Sequence, residues 1–313
     1  MIEQIYNETL RYKELETQIH IVGCIDDIRD VVIPSKIKEK PVTTIGERAF
    51  SEQKMLTKVV LSEGIHTIEQ YAFRECRGLT SIILPKSVTK LGDHTFYNCR
   101  NLQMVTVSEA LEVVGDGAFK NCDALQKIIL LQGEKNTALK RILPDISGNV
   151  TVVTNDAKVF FPKDDVYLSD FSTRLYMDVR YSVGNHYRQT VGTDGLDYER
   201  YDSYFSMAQN ELATEYAIGI ALNRLQYPHL LTMDALEAYQ RYLHGHIEEL
   251  CMLLFQEQDM ETFCFLIDEQ FYAREEAEQV LTLCYEQEQT EAAAYMLAYK
   301  HKYYNKRDVV FEL

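Results

Sequence analysis

The sequence has none of the local motifs that mark the common catalytic sites. It contains no glycine-rich phosphate loop, no HExxH or GxSxG motif and no CxxC pair. The nearest candidate for chemistry is the segment HGHIEE, with His244, His246, Glu248 and Glu249. In a helix His244 and Glu248 would share a face, but Gly245 makes a turn an equally good interpretation. The sequence therefore predicts no enzyme activity, no metal site and no cofactor.

Long apolar runs are also absent. No 18 consecutive residues are apolar and uncharged, so no segment is long enough to span a bilayer. The N-terminal segment MIEQIYNETLRYKELETQIHIVGC carries four glutamates where a secretory signal needs a positive start and an apolar stretch. Seven cysteines, an odd number at low density, argue against a disulfide scaffold and favour a reducing compartment. We therefore expect a soluble, cytoplasmic protein that does not insert into membranes.

Positive charge is scarce in the second half of the chain. The formal net charge is -16, and residues 1–150 carry 19 Lys and Arg against 20 Asp and Glu, whereas residues 151–313 carry 13 against 28. Because an acidic surface repels phosphate groups, we expect no nucleic-acid partner and no attraction to anionic membranes.

What the sequence does contain is an internal repeat with a period of twenty-three. Four copies align without a gap from Ile45 to Asn136, among them IEQYAFRECRGLTSIILPKSVTK and LGDHTFYNCRNLQMVTVSEALEV. Large apolar residues recur in four columns, namely Phe50, Phe73, Phe96 and Phe119; Leu56, Leu79, Leu102 and Leu125; Val59, Ile82, Val105 and Ile128; and Leu61, Leu84, Val107 and Leu130. This spacing predicts stacked coils that share one core.

The pattern L-x-x-V/I-x-L/V in each copy alternates with a period of two, which predicts one short strand per copy with one face buried. The preceding xAFxxC segment is predicted to return the chain through a helical or 3₁₀ turn. Such a stack needs a cap at each end. Upstream, VVIPSKIKEKPVTTIGERAF matches SIILPKSVTKLGDHTF with five residues inserted. Downstream, the period places Thr151 and Val153 after Ile128 and Leu130, where the repeat decays.

The repeats resemble the leucine-rich repeats of the BspA-like family. The family signature of a phenylalanine after a small residue, then a cysteine, then L-x-x-I-x-L and often a proline is matched by YAFRECRGLTSIILP. The first copy departs from it with Gln53 in place of cysteine, and the third with Thr95 in place of alanine. The resemblance covers about residues 20–155 and implies a non-catalytic recognition scaffold. Several members act at cell surfaces, so a surface location is the alternative to a cytoplasmic one, but no ligand is transferred.

Outward residues of the predicted strands give the candidate binding surface. Since Ile82 and Leu84 point inward, Ser81 and Ile83 face outward. The repeat aligns such positions into two columns, Lys58, Ser81, Met104 and Lys127 in one and Val60, Ile83, Thr106 and Ile129 in the other. We predict that a protein or peptide binds there, and self-association is left open. The alternative is that β-branched residues stand there only because strands favour them.

Three cysteines, Cys76, Cys99 and Cys122, occupy a column of their own. Zinc ligands usually come in close pairs, so we interpret these thiols as a buried ladder of small side chains rather than a metal site.

The period of the repeat is lost after residue 160. Residues 161–203 contain Tyr167, Tyr176, Tyr181, Tyr187, Tyr198 and Tyr201. We interpret this segment as a junction that packs the open end of the solenoid against the next domain. From Tyr204 the period becomes helical, which predicts a helix with Leu212, Tyr216 and Ile220 on one side, ended by Pro228. Thr232 is the predicted N-cap of the next helix.

A second repeat, with a period of thirty, follows. LLFQEQDMETFCFLID resembles TLCYEQEQTEAAAYMLAY, with Phe255 matching Tyr285 and Phe265 matching Tyr295. Two short helices per unit are typical of ankyrin-like repeats, although the T-P-L-H signature is missing.

These patterns together predict an α+β protein. Residues 1–160 form a leucine-rich-repeat solenoid with a parallel β-sheet and an N-terminal cap, residues 161–203 a tyrosine-rich junction, and residues 204–313 an all-α, ankyrin-like helical-repeat domain. The predicted function is a protein-protein interaction scaffold that binds through the exposed sheet face, the acidic helical repeats, or both. The alternative is an enzyme or metal-dependent hydrolase at the junction, which converging histidines and carboxylates in a deep cleft would favour.

Overall fold

The computed structural model describes residues 3–25, 27–131, 137–164 and 182–304. The chain divides into two compact units, Met1–Tyr204 and Phe205–Leu313. The first unit contains a two-sheet β-solenoid and the second is helical, as the sequence predicts for the fold class. No helix within the described ranges is long and apolar enough to cross a membrane.

The first unit begins with an antiparallel meander. The first six strands of the unit are β1 (Glu3–Tyr6), β2 (Leu10–Glu14), β3 (Ile19–Cys24), β4 (Asp30–Ile33), β5 (Lys36–Ile37) and β6 (Lys40–Ile45). β1, β2 and β3 pair antiparallel in this order, and β3 then pairs in parallel with β6. The meander therefore covers the N-terminal edge of the sheet that β6 continues.

The first three copies of the repeat contribute two strands each, one longer and one shorter, and the described residues of the fourth copy contain the longer one. These are β7 (Lys58–Leu61), β8 (Thr67–Ile68), β9 (Ser81–Ile83), β10 (Lys90–Leu91), β11 (Met104–Ser108), β12 (Val113–Val114) and β13 (Lys127–Leu131). The shorter strands continue the first sheet in the order β6-β8-β10-β12, while β9, β11 and β13 pair in parallel in a second sheet. β4 and β7 form a parallel pair beside β9. The prediction of one strand per copy is wrong because two-residue strands are too short to show a period of two.

The four apolar columns form the core of the solenoid. All their members are buried except Leu61, which is half-buried. The phenylalanine rings stack almost parallel, with centroids 5.2, 5.3 and 5.2 Å apart along the column. The predicted columns are therefore confirmed, and each coil rests on the ring of its neighbour.

The xAFxxC segments are turns rather than helices. Each is closed by bonds between residues three apart, as a 3₁₀ turn is, for example from the Cys76 N–H to the Phe73 carbonyl (3.3 Å). Left-handed backbone interrupts them at two positions per copy, namely Arg48, Glu52, Tyr71, Glu75, His94, Asn98, Gly117 and Asn121. The prediction of a 3₁₀ turn is therefore correct for the hydrogen-bond pattern but not for the backbone conformation.

The repeat ends in a different set of elements. These are α1 (Thr137–Ile142), a 3₁₀ turn (Leu143–Asp145), β14 (Val150–Val153), β15 (Lys158–Phe161), α2 (Val183–Arg188), β16 (Val191–Gly192), β17 (Gly195–Leu196) and α3 (Tyr198–Ser203). β14 pairs in parallel with β13 and places Val152, rather than Thr151, opposite Ile128. The prediction that Thr151 continues this column is therefore wrong by one position, because α1 replaces the regular turn.

The second unit consists of helices. These are α4 (Phe205–Glu211), α5 (Thr214–Gln226), α6 (Met233–His244), α7 (Ile247–Glu257), α8 (Met260–Asp268), α9 (Arg274–Glu286) and α10 (Thr290–Tyr303). The predicted helix after Tyr204 is broken at Ala213, whose backbone is extended (ψ 144°). Thr232 caps α6 as predicted, because its side chain accepts the Ala235 N–H at 3.3 Å.

Candidate partner-binding surface

Hydrogen bonds between the turn segments hold the coils in register. Backbone N–H groups of the phenylalanine column donate to the next coil, Phe50 to Ala72 (2.7 Å), Phe73 to Thr95 (2.9 Å) and Phe96 to Ala118 (2.8 Å). At the last coil the Asp145 carboxylate accepts the Phe119 N–H instead, at 3.0 Å. Burial raises the pKa of Asp145 above its usual range. This side chain thus replaces the carbonyl that a further coil would supply.

The cysteine column bonds to the same turns. The thiols of Cys76, Cys99 and Cys122 donate to the carbonyls of Phe50, Phe73 and Phe96 at 3.1, 3.1 and 3.2 Å. All three cysteines are buried and free. Burial raises the pKa of Cys122. The pKa of Cys76 is raised mainly by a hydrogen bond with Cys99 and secondly by burial. Their position supports the interpretation as a structural ladder that satisfies buried carbonyls.

We expect Cys76, Cys99 and Cys122 to be shielded from thiol reagents in the native protein. Under native conditions a chromogenic disulfide reagent should react first with Cys264, the half-buried cysteine of α8, and much more slowly with the three ladder thiols. Mass spectrometry of the labelled peptides measures the order. The same reaction in denaturant provides the control, since every thiol should then react. Fast native labelling of all three ladder cysteines would contradict the buried ladder.

Most of the predicted binding residues lie in register on the second sheet. Ser81, Met104 and Lys127 are paired neighbours on β9, β11 and β13, and so are Ile83, Thr106 and Ile129. Lys58 and Val60 lie on β7, where they pair with Asp30 and Val32 of β4. β7 lies beside β9, so the two columns continue across both groups of strands. We call the surface formed by these two columns, with their continuation on β4, the strip.

Exposure along the strip is uneven. Ile83 is 58% exposed and Val60 39%, and Lys58 and Lys127 are also exposed. Ser81, Met104 and Ile129 are half-buried. Thr106 is only 5% exposed, which corrects the expectation that it is available to a partner. Its short side chain lies between two isoleucines in the register. The exposed aliphatic residues of the predicted columns are therefore Val60 and Ile83, in the N-terminal half of the strip.

Sequence reasoning missed one member of the strip, Val32. It is 62% exposed, whereas Val31 and Ile33 on either side are buried, and it lies opposite Val60. The signal was present, because aligning VVIP with IILP places Val32 at the position of Ile83. The five inserted residues after this stretch hid the continuation of the column.

The strip carries positive charge beside its aliphatic residues. Lys58 and Lys127 flank the exposed valine and isoleucine positions, and neither forms an ion pair with a described residue. Asp30, opposite Lys58, accepts a hydrogen bond from the Thr57 hydroxyl at 3.1 Å. An aliphatic surface with free ammonium groups is suited to a partner that carries aliphatic and acidic side chains.

Two clefts lie at the C-terminal end of the solenoid. The larger, about 420 Å³, is lined by Asp116, Lys140, Arg141 and Asp145 among others, and the smaller, about 270 Å³, shares Asp145. No histidine is among the described residues that line them. Over the described ranges, no three or more His, Cys, Asp or Glu side chains are grouped to hold a metal ion.

The HGHIEE segment forms the turn between α6 and α7. Gly245 is the C-cap of α6, so His244 and Glu248 lie on different helices. His244 stacks on Phe271 and its Nδ1 lies 2.8 Å from a Glu276 carboxylate oxygen. His246 Nδ1 lies 2.8 Å from the Tyr242 carbonyl oxygen. The two histidines therefore do not converge on one site.

The described part of the junction is used for packing. Tyr187 and Tyr201 are buried with their rings 4.6 Å apart, and burial raises the pKa of Tyr187. The Tyr201 hydroxyl donates to the Phe160 carbonyl at 2.5 Å and accepts the Phe160 N–H at 3.2 Å. Tyr167, Tyr176 and Tyr181, which the sequence analysis assigns to the junction, lie outside the described residues.

A family model described as BspA type leucine-rich repeat region matches residues 24–140 in six copies. The match contains the four aligned copies and extends upstream to Cys24, so the resemblance is confirmed over this region. The helical unit lies outside the matched residues.

Several solved structures are similar to the repeat region. A leucine-rich repeat protein of T. pallidum shares 23% identity over 41% of this chain and 71% of that chain, with a TM-score of 0.35. A leucine-rich repeat protein from Bacteroides ovatus shares 19% identity over 41% and 49% (TM-score 0.25), and the pneumococcal vaccine antigen PcpA 14% over 53% and 55% (TM-score 0.28). The chain spans about half the length of these last two proteins. No curated protein matches this chain.

Proposed function

With residues 24–140 matched to BspA-type leucine-rich repeats, we propose that this protein is a non-catalytic scaffold that binds a partner protein through the strip. The observation that carries the proposal is a row of three exposed aliphatic side chains, Val32, Val60 and Ile83. They hold equivalent positions on the neighbouring strands β4, β7 and β9. Isolated exposed aliphatic residues are normal on protein surfaces, whereas a contiguous row is typical of a contact surface.

The chemistry of the strip limits the class of partner. Lys58 and Lys127 favour a protein surface or peptide with acidic residues near its aliphatic contacts. The acidic excess of residues 151–313 disfavours nucleic acid as a partner of the helical unit. The proposal includes a cytoplasmic location, with a cell-surface location as its alternative. It also includes the division of the chain into residues 1–160, 161–203 and 204–313.

The helical unit is a second candidate surface for a partner, as an ankyrin-like repeat. The turns after α7 and α9 support this interpretation, because Gln258 and Glu288, thirty residues apart, both have left-handed backbone (φ 55° and 53°). The residue after each donates its N–H five residues back, Asp259 to Leu254 (2.9 Å) and Gln289 to Cys284 (2.8 Å). Two turns of the same geometry at this spacing are expected of a helical repeat.

Replacing Ile83 and Ile129 with glutamate should abolish binding by the strip without unfolding the protein. Two carboxylates in the aliphatic columns remove apolar contact area and repel an acidic partner, so we expect loss of the proteins that cross-link to wild type. Cross-linking with mass spectrometry identifies those proteins, and circular dichroism checks the fold.

Val113→Glu is the matched control, since Val113 is 47% exposed but lies on β12 of the other sheet. It should leave the partners unchanged. If the double variant folds and keeps every partner of wild type, the strip is not the binding face and the helical unit becomes the candidate.

A further inference from the structure

The longer strands of the solenoid lie side by side in the order β4, β7, β9, β11 and β13, so β4 is the first of this row. Half of the backbone groups of β4 point away from β7. Arg29 accepts the Lys58 N–H at 3.2 Å and Ile33 accepts the Ser62 N–H at 3.3 Å, so the odd-numbered residues face β7. In a parallel pair, alternate residues direct both backbone groups to the same side. The N–H and carbonyl groups of Asp30 and Val32 therefore point to the open side of β4.

The inner coils show what these groups do when a strand is present. Met104 and Thr106 hold the corresponding positions on β11. The Met104 N–H donates to Thr80 (3.3 Å), and the Thr106 carbonyl accepts the Leu84 N–H (2.9 Å). These bonds hold β11 to the preceding strand β9. β4 has the same groups in the same orientation, but no described strand precedes it on this side.

Two other sheet ends of this unit, at β12 and β15, are covered. The first sheet ends at β1 on one side, and on the other side α1 packs against its terminal strand β12. On the second sheet, the Tyr201 hydroxyl bonds both the N–H and the carbonyl of Phe160 on the terminal strand β15. Among the described residues, none bonds the outward backbone groups of Asp30 and Val32 in this way. β4 thus differs from the ends that the fold protects.

The side chains around β4 leave its edge accessible. Charged side chains often shield a free edge, but the Asp30 carboxylate accepts a hydrogen bond from the hydroxyl of Thr57, the residue before β7. Val32 is 62% exposed and Ile25 42%. Arg29 and Lys36, one before and one after the strand, are exposed and form no ion pair with a described residue.

We propose that β4 binds an extended segment of a partner protein as an added β-strand. The outward groups of Asp30 and Val32 supply the main-chain hydrogen bonds. Aliphatic side chains at alternate positions of the segment would extend the row that Val32, Val60 and Ile83 form, and acidic residues at its ends would meet Arg29 and Lys36. This interaction goes beyond the proposed use of the strip, because it recognises backbone rather than a side-chain surface.

Val32→Pro tests the proposal without disturbing the native ladder. The Val32 N–H is not used by β7, so proline removes a donor that only an added strand needs, and its ring obstructs an incoming backbone. The probe is a displayed library of random peptides about ten residues long, selected on the full chain. We expect enriched peptides with alternating aliphatic residues and acidic ends, and at least about tenfold weaker binding to Val32→Pro by fluorescence anisotropy.

Val32→Thr is the control, because it keeps the N–H and should weaken binding by about threefold or less. The proposal is overturned if no peptide is enriched, or if the enriched peptides bind wild type and Val32→Pro equally. It is also overturned if sedimentation shows that wild type dimerises and Val32→Pro does not, since the occupant would then be a second copy. Ile83→Glu with Ile129→Glu should leave peptide binding intact, which separates this result from a failure of the strip.

Discussion

Replacing Phe96 with alanine should lower the free energy of unfolding by about 3–5 kcal/mol, the cost of removing a fully buried aromatic ring. The Phe96 ring stacks between Phe73 and Phe119 at 5.3 and 5.2 Å, so its loss leaves a cavity inside a continuous column. The backbone hydrogen bonds on both sides hold the coils at fixed spacing and limit collapse into the cavity. Urea unfolding followed by circular dichroism measures the effect.

Phe96→Leu is the matched control for this prediction. Leucine fills much of the same volume, so the loss should be smaller, about 1–2 kcal/mol. A loss below about 1 kcal/mol for the alanine variant would mean that the phenylalanine column is not the core of the solenoid.

Gly184→Ala should cost at least about 3 kcal/mol, because it forces α2 away from Pro162 and Lys163, the two residues after β15. A Cβ atom at Gly184 would overlap the Lys163 carbonyl oxygen and lie 2.6 Å from its carbon and 2.7 Å from the Pro162 oxygen. These are backbone atoms, so no side-chain rotation relieves the contact.

The displacement would also break the bonds of a half-buried guanidinium. Arg188 at the end of α2 donates to the carbonyls of Pro162, Ile146 (3.2 Å) and Gly148 (2.7 Å). Partial burial lowers the pKa of Arg188 to about 10, and a cation withdrawn from water is costly when it loses its hydrogen-bond acceptors. We therefore expect increased hydrogen exchange around Ile146 and Gly148 as well as a lower unfolding midpoint in urea.

Gly219→Ala is the control. Gly219 lies inside α5 and a Cβ there meets no atom within 4 Å, so alanine should stabilise the helix by about 0.5–1 kcal/mol. Wild-type stability for Gly184→Ala would show that α2 does not pack against Pro162 and Lys163 as described.

The candidate site could be predicted in part. The alternation on β9 correctly placed Ile83 outward and Ile82 inward, because the strand period is a local property. Whether an outward residue is accessible is not local. Thr106 is outward yet buried between neighbours contributed by other coils, and Val32 joins the row only because β4 pairs with β7. Neither fact can be derived from the alternation within one strand.

The sequence by itself determined the period, the core columns and the solenoid class, since regular spacing of large apolar residues allows only stacked coils to bury them. It also indicated Thr232 as a helix cap, a property of a few neighbouring residues. Only the tertiary structure decided that a coil can carry a second, shorter strand, that Asp145 ends the stack of turns, and that β4 leaves its backbone groups open. These features depend on hydrogen bonds between residues far apart in the chain, and no local pattern encodes such pairings.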